Sequence, residues 1–128
     1  MRMLLDTHVV FWATIDRTQL SRAGRDSLES EEHEVFVSVA IAWEIAIKVG
    51  LGKWPDARGL ITDFERYIED AGFELMPIAI SHARAAGAMQ SPHRDPFDQL
   101  PAAQAMIEGL TLVAADPKVR GLGAPCLW

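Results

Sequence analysis

Short apolar runs alternate with longer helical segments along the sequence, and this alternation limits the fold more than any other feature. Runs with strand composition lie at 3–5, 35–38, 73–78, 110–114 and 126–127. Pro77 interrupts or bounds the third run, because proline cannot donate a hydrogen bond to a neighbouring strand. The runs are continuously apolar rather than alternating in polarity, which is typical of parallel strands that are covered on both faces.

The segments between these runs have helical spacing. Helices are predicted over 8–15, 21–30, 40–49, 60–71, 80–89 and 96–108. Strands separated by helices of this length indicate βαβ units and a parallel sheet. A length of 128 residues fits one domain, so the sequence predicts a single three-layer α/β/α domain over residues 1–128.

The net charge of −6 limits the partners of this chain. An acidic protein lacks the general basic field of one that binds nucleic acid over its whole surface, so nucleic-acid chemistry would need bound cations or a local basic patch. No apolar run approaches the roughly 18 residues of a membrane span. The single cysteine, Cys126, suits a reducing compartment, and we expect a cytoplasmic protein without membrane contact.

Two carboxylates directly follow predicted strands. Asp6 comes after the first strand, and Asp116 comes after the fourth. Ligands of open parallel sheets lie beyond the carboxyl ends of the strands, where the connections reverse direction, so neighbouring strands would bring these side chains into one crevice. Each carboxylate also has a structural interpretation, because Asp6 or Thr7 can cap the first helix and Asp116 before Pro117 is a good N-cap.

Glu44 lies in an otherwise apolar helix. Between positions 35 and 49 the only charged residues are Glu44 and Lys48, which a spacing of four places on one helical face. An exposed pair of this kind contributes about 0.3–0.5 kcal/mol. Trp43 and three isoleucines surround that face, so we expect a mostly buried helix in which Glu44 needs either Lys48 or a metal ion as partner. The other acids favour the metal ion.

The segment 93–98 is the richest in polar groups. Asp95 before Pro96 fits an N-cap followed by the first helical residue. Asp98 then lies in the first turn, where it either complements the helix dipole at the surface or projects toward the strand ends as a ligand. His93 and Arg94 form a small positive patch that can contact phosphate or pair with the acids.

Separated carboxylates without a histidine or cysteine cluster describe an oxygen-rich site. The acids concerned are Asp6, Glu44, Asp98 and Asp116. Such a site favours Mg²⁺ or Mn²⁺ over zinc. Because Mg²⁺ keeps part of its water shell, the residues favour a hypothesis of metal-assisted attack of water on a phosphodiester.

Several short motifs follow one another in a characteristic order. They are LLDTHVV at 4–10, WEIAIK at 43–48, LGK at 51–53, HRDPFD at 93–98, AAQA at 102–105, EGLTLV at 108–113, Asp116, and LW at 127–128. In this order and spacing they strongly resemble the PIN domain, in particular the VapC-type toxins of toxin–antitoxin pairs. The resemblance covers essentially the whole chain, and its specificity lies in the ordered set rather than in any single motif.

The resemblance implies a fold, an activity and partners. It implies a five-stranded parallel sheet in the order 3-2-1-4-5, with strands one and four adjacent. It also implies an endoribonuclease that depends on Mg²⁺ or Mn²⁺, cleaves single-stranded or looped RNA, and leaves 5′-phosphate and 3′-hydroxyl ends. The implied partners are an RNA substrate, a cognate VapB-like antitoxin that obstructs the site, and a second copy of the chain in a homodimer.

The resemblance also assigns roles to residues. The catalytic and metal-binding quartet of the family falls on Asp6, Glu44, Asp98 and Asp116. Candidates for positions beside these ligands, or for contact with RNA, are Thr7, Ser38, His93, Arg94 and Asp95. Candidates for a hydrophobic groove that takes the antitoxin are Trp12, Trp43, Trp54 and Phe64, although core packing is the better interpretation for Trp43.

The chain departs from the family pattern at three positions. Gln99 replaces the usual Arg, which removes one phosphate contact. Pro101 stands inside a predicted helix, where it removes a backbone hydrogen bond and can kink the helix, so it bears on the direction of Asp98. Ala114 replaces a Thr before the last acid, which removes a hydroxyl near the site.

Three other functions compete with the nuclease. A phosphatase with Asp6 as nucleophile needs a second acid two residues later, where this chain has His8. A signalling receiver domain has an acidic pair after the first strand and a lysine after the fifth, and this chain has neither. An inactive PIN domain that only binds its partner is compatible with Pro101 and Ala114, and metal-dependent RNA cleavage separates it from the nuclease.

Overall fold

The computed structural model describes residues 1–128 and contains one five-stranded sheet. Its strands are β1 (Arg2–Leu5), β2 (Glu34–Ser38), β3 (Glu74–Met76), β4 (Thr111–Val113) and β5 (Cys126–Leu127). They lie in the order β3-β2-β1-β4-β5, and every neighbouring pair is parallel. The predicted α/β class, the parallel sheet and the strand order 3-2-1-4-5 are confirmed.

The central strand β1 fixes where a site can form. Leu4 pairs with Phe36 of β2 on one side and with Leu112 of β4 on the other. The chain winds outward from β1 through β2 and β3, then returns to place β4 on the opposite side of β1. The direction of winding therefore reverses between β1 and β4, and the crevice beyond their carboxyl ends is where ligands of such sheets bind.

Helices cover both faces of the sheet. They are α1 (Thr7–Ile15), α2 (Arg22–Glu29), α3 (Val39–Gly50), α4 (Arg58–Thr62), α5 (Phe64–Asp70), α6 (Ile80–Ala88), α7 (Pro96–Glu108) and α8 (Pro117–Arg120). Successive residues of β1 point to opposite faces, so Met3 and Leu5 join one hydrophobic core while Leu4 joins another. The first core includes Val9 of α1, and the second includes Ala105 of α7. The result is the predicted three-layer arrangement.

The predicted helix over 60–71 is wrong as a continuous element. The structure has two helices, α4 and α5, because the backbone of Asp63 (φ −123°, ψ 41°) leaves the helical region. Gly59 and Thr62 are both weak helix formers, which makes a break here inexpensive. The predicted apolar side survives the break, since Leu60, Phe64 and Ile68 are all buried.

Two prolines differ in their effect. Pro77 lies just after β3, which is shorter than predicted because it ends at Met76. Pro101 lies inside α7 and is buried, yet the helix continues from Pro96 to Glu108. The expected disruption of this helix is therefore limited to the one backbone donor that proline lacks. None of the helices is both long and apolar enough to cross a membrane.

Candidate metal centre

Asp6 lies between the end of β1 and the start of α1. It occupies the N-cap position, but its side chain accepts no capping hydrogen bond, so capping does not explain this carboxylate. The backbone N–H of Asp6 donates to the carbonyl of Val113 at 3.0 Å, which holds the residue beside the end of β4. Asp6 is only 5% exposed and takes part in none of the ion pairs of the structure.

The surroundings of Asp6 disfavour its charge. The pKa of this carboxyl is raised to about 7, chiefly by burial and against the lowering effect of the adjacent backbone N–H of Thr7. The neighbouring charges of Asp98, Glu44 and Asp116 contribute to this rise. The other three predicted acids are therefore all close enough to act on Asp6.

Asp116 faces Asp6 across an open cleft. It follows β4, and its Oδ1 accepts a hydrogen bond from the backbone N–H of Lys118 at 2.9 Å, so it caps α8 as well as facing the cleft. The cleft has a volume of about 360 Å³. We call it the acidic cleft, and it is lined by Asp6, His8, Trp12, Ala115, Asp116 and Pro117.

Glu44 is buried within α3 and held at both oxygens. Lys48 Nζ lies 2.6 Å from its Oε2, and the hydroxyl of Thr7 donates to its Oε1. The side chain of Glu44 is 4% exposed, whereas that of Lys48 is 38% exposed. Lys48 therefore supplies the partner that this buried carboxylate requires. Thr7, which directly follows Asp6, ties Glu44 to the start of α1.

The outer face of α3 is not covered. Trp43 is 63% exposed and Ile47 is 36% exposed, so the prediction of a mostly buried helix and of Trp43 as a core residue is wrong. Trp43 packs edge-on against Phe97, with ring centroids 5.2 Å apart. Phe64 is buried in the core, so it is excluded from the predicted hydrophobic groove. Hydrophobic spacing predicted α3 correctly as a helix, but it did not predict that the face with Trp43 and Ile47 is left uncovered.

Asp98 projects from the first turn of α7 and is held by a histidine. Its Oδ2 lies 2.6 Å from His93 Nε2, and its side chain is 13% exposed. Burial raises the pKa of Asp98, the hydrogen bond from His93 lowers it, and the charges of Asp95 and Glu44 raise it. Asp95 caps α7 through a hydrogen bond of 2.9 Å from the backbone N–H of Phe97, which confirms the capping interpretation.

The segment before α7 is anchored by a residue that departs from the family pattern. Gln99 is buried, and its Nε2 donates to the carbonyl of His93 at 3.0 Å. Arg94 is exposed and donates to the carbonyl of Met89 at 3.3 Å. Ser38 is fully buried and caps α3 by accepting from Ala40 N–H at 3.2 Å. Spacing gives no signal of the Thr7–Glu44 contact, because it depends on how α1 and α3 pack. It gives none of the Gln99–His93 contact either, because that contact depends on the path of the loop before α7.

The donor set fits a hard divalent cation. Asp6 is a buried carboxylate without a cation, and burying an unpaired charge is costly. The tightest group of ligand atoms comes from His93, Asp95 and Asp98, which lie within 4.8 Å of one another, and the quartet forms no such triad. Mg²⁺ usually keeps several waters and binds through one or two carboxylates, so direct contact with all four acids is not required.

The sequence matches the PIN domain family over residues 3–124, and the chain belongs to that family. No curated protein matches it. Its fold is similar to a chain of VapBC2 from Rickettsia felis bound to a promoter DNA fragment, with a TM-score of 0.70, 15% identity, and coverage of 99% of this chain and 98% of the other. A chain of FitAcB from Neisseria gonorrhoeae gives a TM-score of 0.67 and 22% identity, covering 100% and 97%.

A third similar fold is a chain of VapBC-5 from Mycobacterium tuberculosis, with a TM-score of 0.62, 17% identity, and coverage of 98% and 95%. At these identities the likeness concerns the fold. PIN domains are generally nucleases, so membership of the family leaves the phosphatase and receiver alternatives without support.

Proposed function

We propose that this protein is a divalent-metal-dependent endoribonuclease toxin of the VapC type, restrained by a cognate antitoxin. One observation carries the proposal: Asp6, a buried carboxylate without a cation, lies at the reversal of the sheet under the influence of three further acids. Membership of the PIN family and similarity to chains of toxin–antitoxin complexes support it.

The quartet would hold the metal. Asp6, Asp98 and Asp116 would be the main ligands of Mg²⁺ or Mn²⁺, with Glu44 as a direct or water-mediated ligand. When bound, the ion supplies a water of lowered pKa for attack on phosphorus and stabilises the leaving oxygen. With its pKa near 7, Asp6 is partly protonated at neutral pH, and it must release this proton to bind a cation.

The neighbours of the quartet orient it. His93 occupies Oδ2 of Asp98, which leaves Oδ1 free to bind. Thr7 and Lys48 fix the two oxygens of Glu44, so this carboxylate keeps one position beside Asp6. Partners of this kind limit the number of orientations a ligand adopts and thereby raise the affinity of a site for its metal.

A ribonuclease toxin needs restraint, and the surface offers a place for it. Trp43 and Ile47 of α3 and Leu51 at its C-cap are spaced by four and are 63%, 36% and 64% exposed. We propose that a VapB-like antitoxin covers this stripe and thereby reaches the neighbouring acids, since exposed apolar stripes of this kind fit partner segments. We also propose that the chain is a single PIN domain, forms a homodimer and acts in the cytoplasm, where its RNA substrate lies.

The deciding experiment is cleavage of a panel of structured RNAs by antitoxin-free protein. Reactions contain Mg²⁺, Mn²⁺ or EDTA and compare the wild type with Asp98→Asn. Asp70→Asn is the matched control, because Asp70 is a carboxylate of 72% side-chain exposure on α5. We expect cleavage that requires the metal, disappears in Asp98→Asn and persists in Asp70→Asn.

The other outcomes change the conclusion in defined ways. A folded Asp98→Asn protein with full activity would remove this residue from the site. A wild type that cleaves in EDTA would overturn the metal dependence. A folded wild type that neither cleaves nor binds Mn²⁺ would establish the alternative, an inactive PIN domain that only binds its partner.

A further inference from the structure

A second cleft adjoins the acidic cleft. It has a volume of about 250 Å³ and is lined by His8, Lys48, Lys53 and Trp54, and we call it the lysine cleft. His8 lines both clefts, so a ligand that spans the imidazole would enter both. The lysine cleft also adjoins the quartet, since the ammonium group of Lys48 pairs with Glu44.

The lysine cleft concentrates positive charge in an acidic protein. The chain has a net charge of −6, and Lys48 and Lys53 are two of its three lysines. Lys53 is exposed and takes part in none of the ion pairs of the structure. Its ammonium group therefore remains available to an anion, directly beside a group of carboxylates that repels anions.

Trp54 gives the cleft an ordered aromatic surface. Its ring centroid lies 5.2 Å from that of His8 and 5.1 Å from that of Phe11. Lys48 Nζ lies 5.8 Å from the same ring. Trp54 is half-buried and packs against the main hydrophobic core, so its orientation is fixed before any ligand arrives. A stacking partner would thus find a surface that loses little conformational freedom on binding.

We propose that the lysine cleft binds one nucleotide of an unpaired RNA strand next to the scissile phosphate. Lys53 contacts the backbone phosphate, and the base stacks on Trp54 against His8. Aromatic rings beside a cation are the recurring features of single-strand binding, and a base inside a duplex does not present its face for stacking. This inference rests on the proposed function and assigns the residues that would hold an unpaired nucleotide of its substrate.

An acidic peptide is the competing occupant, and the observations favour RNA. A peptide carboxylate would use Lys53 but would gain little from a preoriented Trp54 beside an imidazole. A nucleotide uses both, because it carries an anion and a flat aromatic base at a short fixed separation. The position of the cleft beside the quartet also places a bound strand where the proposed chemistry occurs.

The test measures binding without cleavage. A fluorescently labelled single-stranded oligoribonucleotide is titrated with Asp98→Asn protein in EDTA, alone or combined with Lys53→Ala, Trp54→Leu or Trp54→Phe. Arg66→Ala is the matched control, because it removes one positive charge from a side chain that is 78% exposed on α5. Thermal melting checks that each variant is folded.

We expect two separable losses. Lys53→Ala weakens binding and lowers the slope of log K against log salt concentration by about 0.7, the value for one phosphate contact on a single strand. Trp54→Leu weakens binding by about 5- to 150-fold, which corresponds to stacking of one base, while Trp54→Phe keeps most of the affinity. An oligonucleotide with abasic sites removes the effect of Trp54→Leu but keeps that of Lys53→Ala.

Several results would overturn the inference. Affinities of Lys53→Ala and Trp54→Leu equal to that of Arg66→Ala would exclude the cleft as an RNA site. An equal affinity of the wild type for the intact and the abasic strand would exclude stacking, even if Trp54→Leu fails to fold. Loss of antitoxin binding with unchanged RNA binding would assign the cleft to a peptide.

The outcome is distinct from that of the proposed function. A wild type that holds a strand through the lysine cleft but never cleaves any RNA would retain the binding site and remove the nuclease. Metal-dependent cleavage by a protein in which neither Lys53→Ala nor Trp54→Leu weakens RNA binding would retain the nuclease and remove the lysine cleft as a binding site.

Discussion

The acidic cleft and the lysine cleft share His8 but are built in different ways. The carboxylates of the acidic cleft follow β1 and β4, and backbone hydrogen bonds such as Asp6 N–H to Val113 fix their positions. The lysine cleft consists of side chains from α1, the end of α3 and the turn that follows. The charge of Asp6 at the end of β1 is therefore buried and destabilising, whereas Asp116 and Lys53 are exposed and their charges cost the fold little.

Asp6→Asn is the strongest test of this contrast. A carboxyl with a pKa near 7 in the folded state and 3.8 when unfolded binds more protons when folded. Its ionisation therefore lowers the free energy of unfolding progressively as the pH rises from about 4 to about 7, and the penalty is complete above that window. We expect Asp6→Asn to raise the free energy of unfolding at pH 8 in EDTA by about 2–4 kcal/mol.

The pH dependence checks this expectation. At about pH 3 the wild type and Asp6→Asn should have similar free energies of unfolding, since Asp6 is then mostly protonated in both the folded and the unfolded protein. Denaturant titration across this pH range measures the difference. A stabilisation that is the same at both ends of the range would assign the effect to packing instead of charge. Although Asp6→Asn is more stable, its cleavage activity should be lower than that of the wild type. The loss should exceed the roughly 10–100-fold cost of removing an outer partner of a metal ligand.

Divalent cations should cancel the same penalty. A ligand that binds only the folded state at 100 times its dissociation constant stabilises it by about 2.7 kcal/mol. Mn²⁺ or Mg²⁺ should therefore raise the melting temperature of the wild type at pH 8, and the increase should shrink in Asp6→Asn. Calorimetric scans with and without metal measure it, with Asp70→Asn as the control. An equal shift in all three proteins would show that the cation binds elsewhere.

The sequence predicted the acidic cleft better than the lysine cleft. Continuous apolar strands predicted a parallel sheet with Asp6 and Asp116 at strand ends, because strand ends are set by local pattern. The resemblance to the PIN domain supplied the strand order that makes these two strands neighbours. The exposure of Trp43 was missed, since an apolar residue at helical spacing does not reveal whether a neighbour covers it. The break at Asp63 was missed because the apolar pattern continues through it.

The lysine cleft was beyond sequence reasoning for a related reason. His8 and Trp54 are 46 positions apart, and only the packing of α1 beside the turn after α3 brings their rings to 5.2 Å. Hydrogen bonds between distant side chains, such as Thr7 to Glu44, have the same origin. Local pattern thus locates carboxylates at strand ends, whereas contacts between surface segments require the three-dimensional structure.

The two lysines of the lysine cleft should differ in their effect on stability. Lys48→Met leaves Oε2 of the buried Glu44 without its partner, so we expect a loss of about 1–2 kcal/mol in the free energy of unfolding at pH 8. Lys53→Met removes no ion pair and should change it by less than about 0.5 kcal/mol. Urea titrations of both variants measure this difference. Equal losses would mean that Lys53 also supports the fold and would weaken its assignment to RNA.

The smallest effect concerns the segment that carries His93. Gln99 donates to the carbonyl of His93, and His93 in turn holds Asp98. Gln99→Leu removes one neutral hydrogen bond, so the free energy of unfolding should fall by about 0.5–1.5 kcal/mol. Because the segment is then less well held, the affinity for Mn²⁺ should also fall, and by less than in Asp98→Asn.

Isothermal titration with Mn²⁺ separates this positioning role from a purely structural one. Gln90→Leu is the matched control, since Gln90 is exposed just before the segment and none of the side-chain hydrogen bonds around His93 involves it. A variant Gln99→Leu that loses stability but binds Mn²⁺ like Gln90→Leu would show that Asp98 keeps its orientation without this anchor. Reduced Mn²⁺ affinity would show instead that the acidic cleft depends on a residue that neither lines it nor carries a charge.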